Sequence, residues 1–145
     1  MKLNQPRPIL RWPGGKGRLL PKILPRIPPH VCYCEPFAGG LAVQFGKERS
    51  DVEVVNDING DLIALYLNAQ RHLPELLRQV ESFISSRQLL HLVSVNPGLT
   101  EIERAARFLF RNRISFAGNC RSFGVSKTRG GAASFDRPLV RDILT

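Results

Sequence analysis

A glycine turn between an apolar run and a helical pattern is the first candidate for binding chemistry. It comprises residues 35–40 and follows the apolar run 31–34. Glycine has no Cβ, so the backbone of Gly39 and Gly40 can pass close to a ligand. The helix expected after this turn directs its N-terminal N–H groups toward the same place. Taken alone, such a turn is also common in β–α connections that bind nothing.

An acidic residue follows the next apolar run and indicates what the glycine turn binds. Asp57 comes two residues after the run 52–55. In open α/β sheets, ligands bind at the carboxyl ends of the strands, and a carboxylate at the tip of the second strand accepts hydrogen bonds from ribose hydroxyls. Asp57 therefore predicts a cofactor that contains a nucleoside. A turn or helix N-cap role is the alternative for Asp57, in competition with Asp61.

A third candidate precedes both, in residues 11–17, where an aromatic residue, several glycines and a lysine lie close together. Trp12 offers a flat face for a ring or a cation, and Lys16 offers a positive charge for a carboxylate or phosphate. The segment is not a phosphate-binding P-loop. That loop requires a glycine where Leu10 stands and a serine or threonine where Gly17 stands.

The three cysteines are expected to be buried small hydrophobic residues. Cys32 and Cys34 share one face of the predicted strand, and Cys120 lies far along the chain. An odd number of cysteines argues against a disulfide framework. His30 near the first two makes a metal site conceivable, but free cysteine most often packs as a small hydrophobe. We therefore predict no metal.

The apolar patterns around these candidates alternate between short strands and helices. The predicted strands are residues 31–34, which we expect to be buried, and 52–55; the predicted helices are 16–24, 41–47, 60–69, 74–86 and 100–113. The last helix begins with a capping-box signal, Thr100 and Glu103. Strand, turn, helix and strand in this order form a βαβ unit, which predicts an α/β fold with a parallel sheet and flanking helices. Residues 3–10 are expected to form an extended arm, and the chain from Gly118 onward a loop or hairpin.

The charge distribution predicts a polyanionic partner. The chain has 145 residues and a net charge of +9, and ten of its twelve acidic residues lie between positions 31 and 103. Lysine and arginine dominate the flanking segments 1–30 and 104–129, and phenylalanines interleave the second. Nucleic acid is the first candidate partner. No apolar run approaches the roughly 20 residues of a membrane helix, and no secretion signal is evident, so we expect a cytoplasmic protein.

Three segments together resemble the Dam-like class of adenine-specific DNA N6-methyltransferases. They are Arg11-Trp12-Pro13-Gly14-Gly15-Lys16, Glu35-Pro36-Phe37-Ala38-Gly39-Gly40 and Asn56-Asp57-Ile58-Asn59-Gly60-Asp61-Leu62. Their order and spacing are similar to that family over residues 7–70, and residues 105–124 more weakly resemble its DNA-contacting insert.

This resemblance implies S-adenosylmethionine as cofactor, double-stranded DNA as substrate, and a partial Rossmann-like fold with a helical DNA-contacting insert. The cofactor-binding residues that it implies are Trp12 and Lys16 at the pocket wall, Asp57 at the ribose, and Pro36, Phe37, Gly39 and Gly40 around the methionine end. The DNA-contacting residues that we expect are Arg111, Arg113, Arg121 and Lys127. We divide the chain into residues 1–70, the arm and cofactor-binding βαβ unit, and 71–145, the helical insert and basic loop.

The chain departs from the family pattern in three ways. Leu41 stands where a further glycine or small residue is common, and Ala117 stands where the insert often has asparagine. The family's Asp-Pro-Pro-Tyr segment, which holds the target adenine, does not occur after Asp57. We therefore expect a fragment that is inactive alone, or one that works with a second chain. The alternative is a noncatalytic nucleic-acid-binding protein that uses residues 104–129.

Overall fold

The computed structural model describes residues 9–124, in which short helical turns and four longer helices accompany a two-stranded sheet. The strands are β1 (Cys32–Glu35) and β2 (Val52–Val55), and the helices are α1 (Leu20–Ile23), α2 (Ala42–Gly46), α3 (Gly60–Arg71), α4 (Leu73–Glu81), α5 (Arg87–Val95) and α6 (Glu101–Ile114). Short 3-10 helices occur at Lys16–Leu19, Leu24–Arg26 and Phe116–Gly118. The predictions for most of the arm and for Lys127 fall outside the described residues.

The two strands form the predicted parallel pair, in which Cys32 lies opposite Val52 and Glu35 opposite Val55. This confirms an α/β fold with a parallel sheet and flanking helices. The pairing extends one residue beyond the strands, because the Asn56 N–H donates to the Glu35 carbonyl at 3.0 Å. The Ala38 N–H then donates to the Asn56 carbonyl at 2.9 Å. Backbone hydrogen bonds therefore join the glycine turn after β1 to the acidic turn after β2.

The described residues cover only one face of this sheet. On the covered face the Lys47 ammonium lies 4.5 Å from the centre of the Tyr33 ring, and Gln44 donates to the Glu53 carboxylate. The side chains exposed on the other face are Cys32, Cys34, Val52 and Val54. The predictions that β1 is a buried strand and that its cysteines are buried are therefore wrong. Parallel strands are apolar because a layer usually covers each face, and residues 9–124 supply only one layer.

Helix α6 is the centre of the hydrophobic core and packs against α3, α4 and α5. Its side chains that are at most 1% exposed are Ala105, Ala106, Leu109, Phe110, Asn112 and Ile114. The predicted capping box is confirmed: the Glu103 N–H donates to the Thr100 hydroxyl at 3.1 Å, and the Thr100 N–H donates to the Glu103 carboxylate at 3.2 Å. Two orphan N–H groups are thereby satisfied where α6 begins.

Two helix predictions were wrong in extent. The helix predicted for residues 74–86 ends at Glu81, and α5 follows as a separate helix that we did not predict. Its N-cap is Ser86, whose hydroxyl accepts from the Leu89 N–H at 3.2 Å. Residues 16–24 do not form one helix but a chain of short turns. Pro21 and Pro25 explain this, because proline lacks the N–H that continues the hydrogen-bond ladder.

Candidate functional site

Asp57 lies against the glycine turn, as expected from two adjacent parallel strands. The Gly39 N–H donates to Asp57 Oδ2 at 2.9 Å, and the Asn59 N–H donates to Asp57 Oδ1 at 3.0 Å. The N-cap of α3 is Asn59, not Asp57 or Asp61. Asp57 therefore does not cap α3, but its bond to the Asn59 N–H is the turn role that was the alternative for it. Each of its carboxylate oxygens still has a lone pair for a ligand.

Trp12 fills the space beside the glycine turn. A Cβ added at Gly39 would meet Trp12 Cδ1 at 2.9 Å, and one added at Gly40 would meet Trp12 Cβ at 3.4 Å. Gly39 also has a φ of +50°, where a side chain is strained. The bare backbone at this turn thus accommodates the indole ring directly, and the ring becomes one wall of the site.

Lys16 reaches the same turn from the N-terminal segment and pairs with Glu35 at the end of β1. Its ammonium lies 3.0 Å from Glu35 Oε1 and donates to the Phe37 carbonyl at 2.8 Å. The Glu35 side chain is only 7% exposed, and its Oε2 is buried without a hydrogen bond among the described residues. Burial, and then the neighbouring Glu35 carboxylate, raise the pKa of Tyr33 above its ordinary value. One oxygen of the Glu35 carboxylate is therefore short of partners at the end of β1.

Tyr66 on α3 completes the support of the turn. Its hydroxyl donates to the Gly39 carbonyl at 3.0 Å. Burial is the largest cause that raises the pKa of Tyr66 far above its ordinary value, followed by the charges of Asp57 and Glu35. The phenol therefore stays protonated and remains a donor at neutral pH. Tyr66 was not predicted as a site residue, because an aromatic residue on an apolar helix face usually indicates packing. Glu35 was included in the glycine-turn segment, but its side chain was given no role.

Apolar side chains project into solvent at the same edge of the sheet. Phe37 is 78% exposed and Ile58, next to Asp57, is 98% exposed. Pro36 is also exposed, and its carbonyl accepts from the Asn56 side chain at 3.4 Å. Large apolar side chains without partners, beside a carboxylate, are suited to a ligand that is part ring and part polar.

The predicted DNA-contacting arginines lie on two sides of α6. Arg111 and Arg121 line a cavity of about 410 Å³ that Trp12, Phe108 and Asn59 also line. The Nε atom of Arg111 is buried there without a hydrogen bond among the described residues. Arg113 instead points toward the N-terminal segment, where it donates to the Ile9 carbonyl at 3.5 Å. Trp12 is thus shared between the glycine turn and the arginine-lined cavity.

A buried amide connects the two halves of this arrangement. The Arg11 N–H donates to Asn112 Oδ1 at 2.9 Å, and Asn112 Nδ2 donates to the Arg11 carbonyl at 2.9 Å. The same Nδ2 donates to the Gly118 carbonyl at 3.1 Å. The segment that carries Trp12 is therefore fastened to α6 on one side while its indole packs on Gly39 on the other.

The segments that form this site match one protein family along most of the chain. The family profile described as D12 class N6 adenine-specific DNA methyltransferase matches residues 12–142. The chain belongs to that family. It is 34% identical to the DNA adenine methylase of Serratia marcescens, over 83% of this chain and 46% of that protein. It is 32% identical to the DNA adenine methylase of Escherichia coli K12, over 83% of this chain and 45% of that protein.

Two further relatives extend the range of this similarity. The type II methyltransferase M1.LlaDCHI of Lactococcus lactis is 35% identical over 77% of this chain and 42% of that protein. The DNA N-6-adenine-methyltransferase of Escherichia phage P1 is 32% identical over 91% of this chain and 18% of that protein. The chain therefore spans less than half the length of these adenine methyltransferases.

The two positions that depart from the adenine-methyltransferase pattern both have left-handed backbone. Leu41 has a φ of 55° and begins α2, and Ala117 has a φ of 50° in the loop after α6. Glycine and asparagine adopt this conformation more readily than leucine or alanine. Leu41 is 4% exposed, so burial of its side chain offsets the backbone strain. Ala117 is exposed, and no contact explains its retention.

Other kinds of site are not found in the part of the chain that the structure describes. No three His, Cys, Asp or Glu side chains within residues 9–124 lie together in a way that could hold a metal ion. None of the helices in that range is long and apolar enough to cross a membrane.

Proposed function

We propose that this chain binds S-adenosylmethionine at the carboxyl ends of β1 and β2 and serves the adenine-N6 methylation of double-stranded DNA in the cytoplasm. The observation that carries the proposal is the hydrogen bond of 2.9 Å between the Gly39 N–H and Asp57 Oδ2. It places a glycine turn and an acid side by side at the tips of neighbouring parallel strands. This is the position at which α/β sheets bind nucleoside-containing cofactors.

The residues at this edge are suited to the parts of that cofactor. The free lone pairs of Asp57 would accept the ribose hydroxyls, and Ile58 would cover the apolar surface of the nucleoside. Phe37 would lie at the methionine end. Glu35 Oε2, buried and short of a partner, is suited to the methionine ammonium. When bound, the cofactor would supply a methyl group from its sulfonium. The adenine amino nitrogen would gain that methyl group and lose a proton, and the sulfur would leave as a neutral thioether.

The remaining predicted residues shape and charge the pocket. The turn formed by Pro36, Gly39 and Gly40 would wrap the methionine end, with Trp12 as the adjacent wall. Lys16 already holds Glu35 and the Phe37 carbonyl. We propose that it fixes the turn and balances the Glu35 charge. An ammonium has three N–H donors, and the third would be directed at the methionine carboxylate.

Isosteric replacement of Asp57 tests the cofactor site. In Asp57→Asn the amide nitrogen would face the N–H of either Gly39 or Asn59, and the charge that accepts the ribose hydroxyls is lost. A hydrogen bond to a charged group is worth about 1.5–3 kcal/mol, so we expect roughly 10- to 100-fold weaker binding of S-adenosylmethionine. Calorimetric titration measures the affinity, and the emission of Trp12, the only tryptophan, provides a second readout.

The matched control is Asp61→Asn, which removes the same charge four residues later. Asp61 pairs with Arg104 at 3.1 Å and does not contact the glycine turn. The control should bind the cofactor as the unmodified chain does. Equal losses in the two variants, or undiminished binding by Asp57→Asn, would contradict the assignment of Asp57 to the ribose.

We further propose that the transfer step requires residues beyond these 145, on a longer form of the polypeptide or on a second chain. The sequence contains no Asp-Pro-Pro-Tyr segment to hold a flipped adenine. The uncovered apolar face of Cys32, Cys34, Val52 and Val54 is a surface on which further strands or helices would pack.

The 145-residue chain alone should therefore transfer no methyl group above background. The measurement is incorporation of labelled methyl into duplex DNA that contains many adenines, with the Escherichia coli DNA adenine methylase as positive control. Sustained turnover by the isolated chain would refute the requirement for further residues and leave the cofactor site untouched.

A further inference from the structure

Helix α5, which the sequence patterns did not predict, forms a second basic cavity with the loop after α6. Its volume is about 820 Å³. The polar and aromatic residues that line it are Arg87, Gln88, His91, Ser94, Arg121 and Phe123. None of its lining residues in the described chain is acidic. The cavity therefore presents cations and hydrogen-bond donors on a concave surface without a counter-charge.

Among the residues that the structure describes, the two arginines of this cavity do not pair with carboxylates. Within residues 9–124, neither Arg87 nor Arg121 has an acidic side chain within ion-pair distance. Arg78, by contrast, pairs with Glu75 on its own helix, and Arg104 pairs with Glu101 on its own helix and with Asp61 on α3. The Arg87 guanidinium instead lies 5.8 Å from the centre of the Phe123 ring. Such a contact orients a guanidinium and leaves its N–H groups available for an anion.

This cavity shares a lining residue with the one beside the proposed cofactor site. Arg121 lines both cavities, and Arg111 lines the second together with Trp12 and Asn59. The lining arginines of the two cavities therefore form a row from Arg87 through Arg121 to Arg111. Asp61 is the acidic residue in the lining of the second cavity. A polyanion on this row would pass the place where a methyl group is to be delivered.

We propose that the cavity between α5 and Arg121 binds the phosphodiester backbone of double-stranded DNA, with Arg87 and Arg121 as its cationic ligands. The inference rests on the proposed function for its choice of duplex DNA, because the family methylates DNA. Phosphate contacts fix the position and register of a protein on the duplex without reading its sequence. Arg87 and His91 thus extend the DNA-contacting surface beyond the arginines of residues 104–129.

The salt dependence of DNA binding tests Arg87 directly. Each phosphate contact contributes about 0.9 to the magnitude of the slope of log affinity against log salt concentration. Arg87→Ala in the full chain should reduce that magnitude by about 0.9 and weaken binding several-fold at low salt. Arg121→Ala should do the same. Fluorescence anisotropy of a labelled 20-base-pair duplex, over a series of salt concentrations, measures both quantities.

The matched control is Arg71→Ala, which removes the same charge from an exposed arginine at the end of α3 that lines neither cavity. The control should leave the slope unchanged, and its unfolding temperature should match that of Arg87→Ala. Equal slopes in the two variants, or no binding of the duplex by the unmodified chain, would overturn the proposal. If Arg87→Ala weakened the binding of single-stranded RNA as much as that of the duplex, duplex DNA would be ruled out as the specific ligand. The affinity of the unmodified chain for the cofactor is measured separately. Cofactor binding without the expected effect of Arg87→Ala would contradict only the DNA-binding role of the cavity, whereas absent cofactor binding would contradict the proposed function.

Discussion

Replacing Gly118 by alanine should destabilise this chain by about 3 kcal/mol or more, the largest effect that we expect from a single added methyl group. A Cβ at this position would lie 1.9 Å from the Arg11 carbonyl oxygen and 2.8 Å from its carbon. Backbone atoms cannot rotate away as the end of a flexible side chain can. The segment that carries Trp12 would have to move from α6, or the loop after α6 would have to open.

Gly14 provides a matched control for the steric part of this effect. Gly14 and Gly118 have the same φ of +73°, but a Cβ at Gly14 would meet nothing within 4 Å. Gly14→Ala should therefore cost only the backbone strain, about 1 kcal/mol. Any stabilisation that comes from restricting the unfolded chain is common to the two variants and cancels in their difference.

Equilibrium unfolding in urea, followed by circular dichroism, gives the two free energies. Trp12 emission in the native state supplies a second observation, because only Gly118→Ala should release the indole from its site. If the two variants were equally stable, the close approach of Arg11 to Gly118 would not exist in solution.

The cofactor edge is the part of the structure that local sequence patterns predict best. Its two strands, the turn between them and the contact of Asp57 with Gly39 follow from one geometric fact. Parallel strands that are neighbours in a βαβ unit end at the same edge of the sheet. Residues that come directly after each strand must then be close together, wherever the rest of the chain lies.

Side-chain partners that are distant in sequence were not predictable in this way. Lys16 pairs with Glu35, and Asn112 binds the backbone of Arg11. No spacing rule connects these residues, because each pair joins segments that only the folded chain brings together. An asparagine in a basic helix gives no sign in the sequence that it is completely buried.

The prediction that β1 is buried was wrong for a related reason. The alternation of residue types along the strand indicates that Cys32 and Cys34 share one face of the sheet. Whether that face is buried depends on what packs against it. The apolar residues before Ser86 continue the pattern of α4, which extended that predicted helix to residue 86. Helix α5 was missed because residues 87–95 were assigned no element. The division of the chain between residues 70 and 71 stays a prediction.

Removal of the Asn112 side chain should cost about 3–5 kcal/mol, because several backbone groups lose their partner at once. Asn112 is 0% exposed, and its amide satisfies the N–H and carbonyl of Arg11 and the carbonyl of Gly118. A buried polar group left without a hydrogen bond costs about 1–3 kcal/mol. In Asn112→Ala these losses add to that of a cavity in the core. Urea unfolding measures the total.

The control for Asn112→Ala is Asn68→Ala on α3. Asn68 is 6% exposed, and its side chain donates to the Ala64 carbonyl, four residues earlier, at 2.8 Å. That carbonyl has a helical N–H partner in any case, so removal of the amide should cost about 1 kcal/mol. Asn112→Ala should also weaken cofactor binding, because the segment that carries Trp12 would be displaced. Asn68→Ala should leave cofactor binding unchanged. Equal losses of stability would mean that Asn112 does not hold the N-terminal segment.

Asn112→Asp separates hydrogen bonding from size, because the two side chains have nearly the same volume. The acid can still accept from the Arg11 N–H, but its second oxygen would face the carbonyls of Arg11 and Gly118. Burial and these carbonyls disfavour the charged form, so the pKa of the new acid is expected to be higher in the folded state than in the unfolded state. The destabilisation caused by Asn112→Asp is then smallest below the pKa of the acid in the unfolded state, about 4. It increases as the pH rises toward the pKa in the folded state. Unfolding free energies at pH 4 and pH 7, each compared with the unmodified chain, should show the larger loss at pH 7. A loss that is independent of pH would show that the side chain at 112 is not enclosed by those carbonyls.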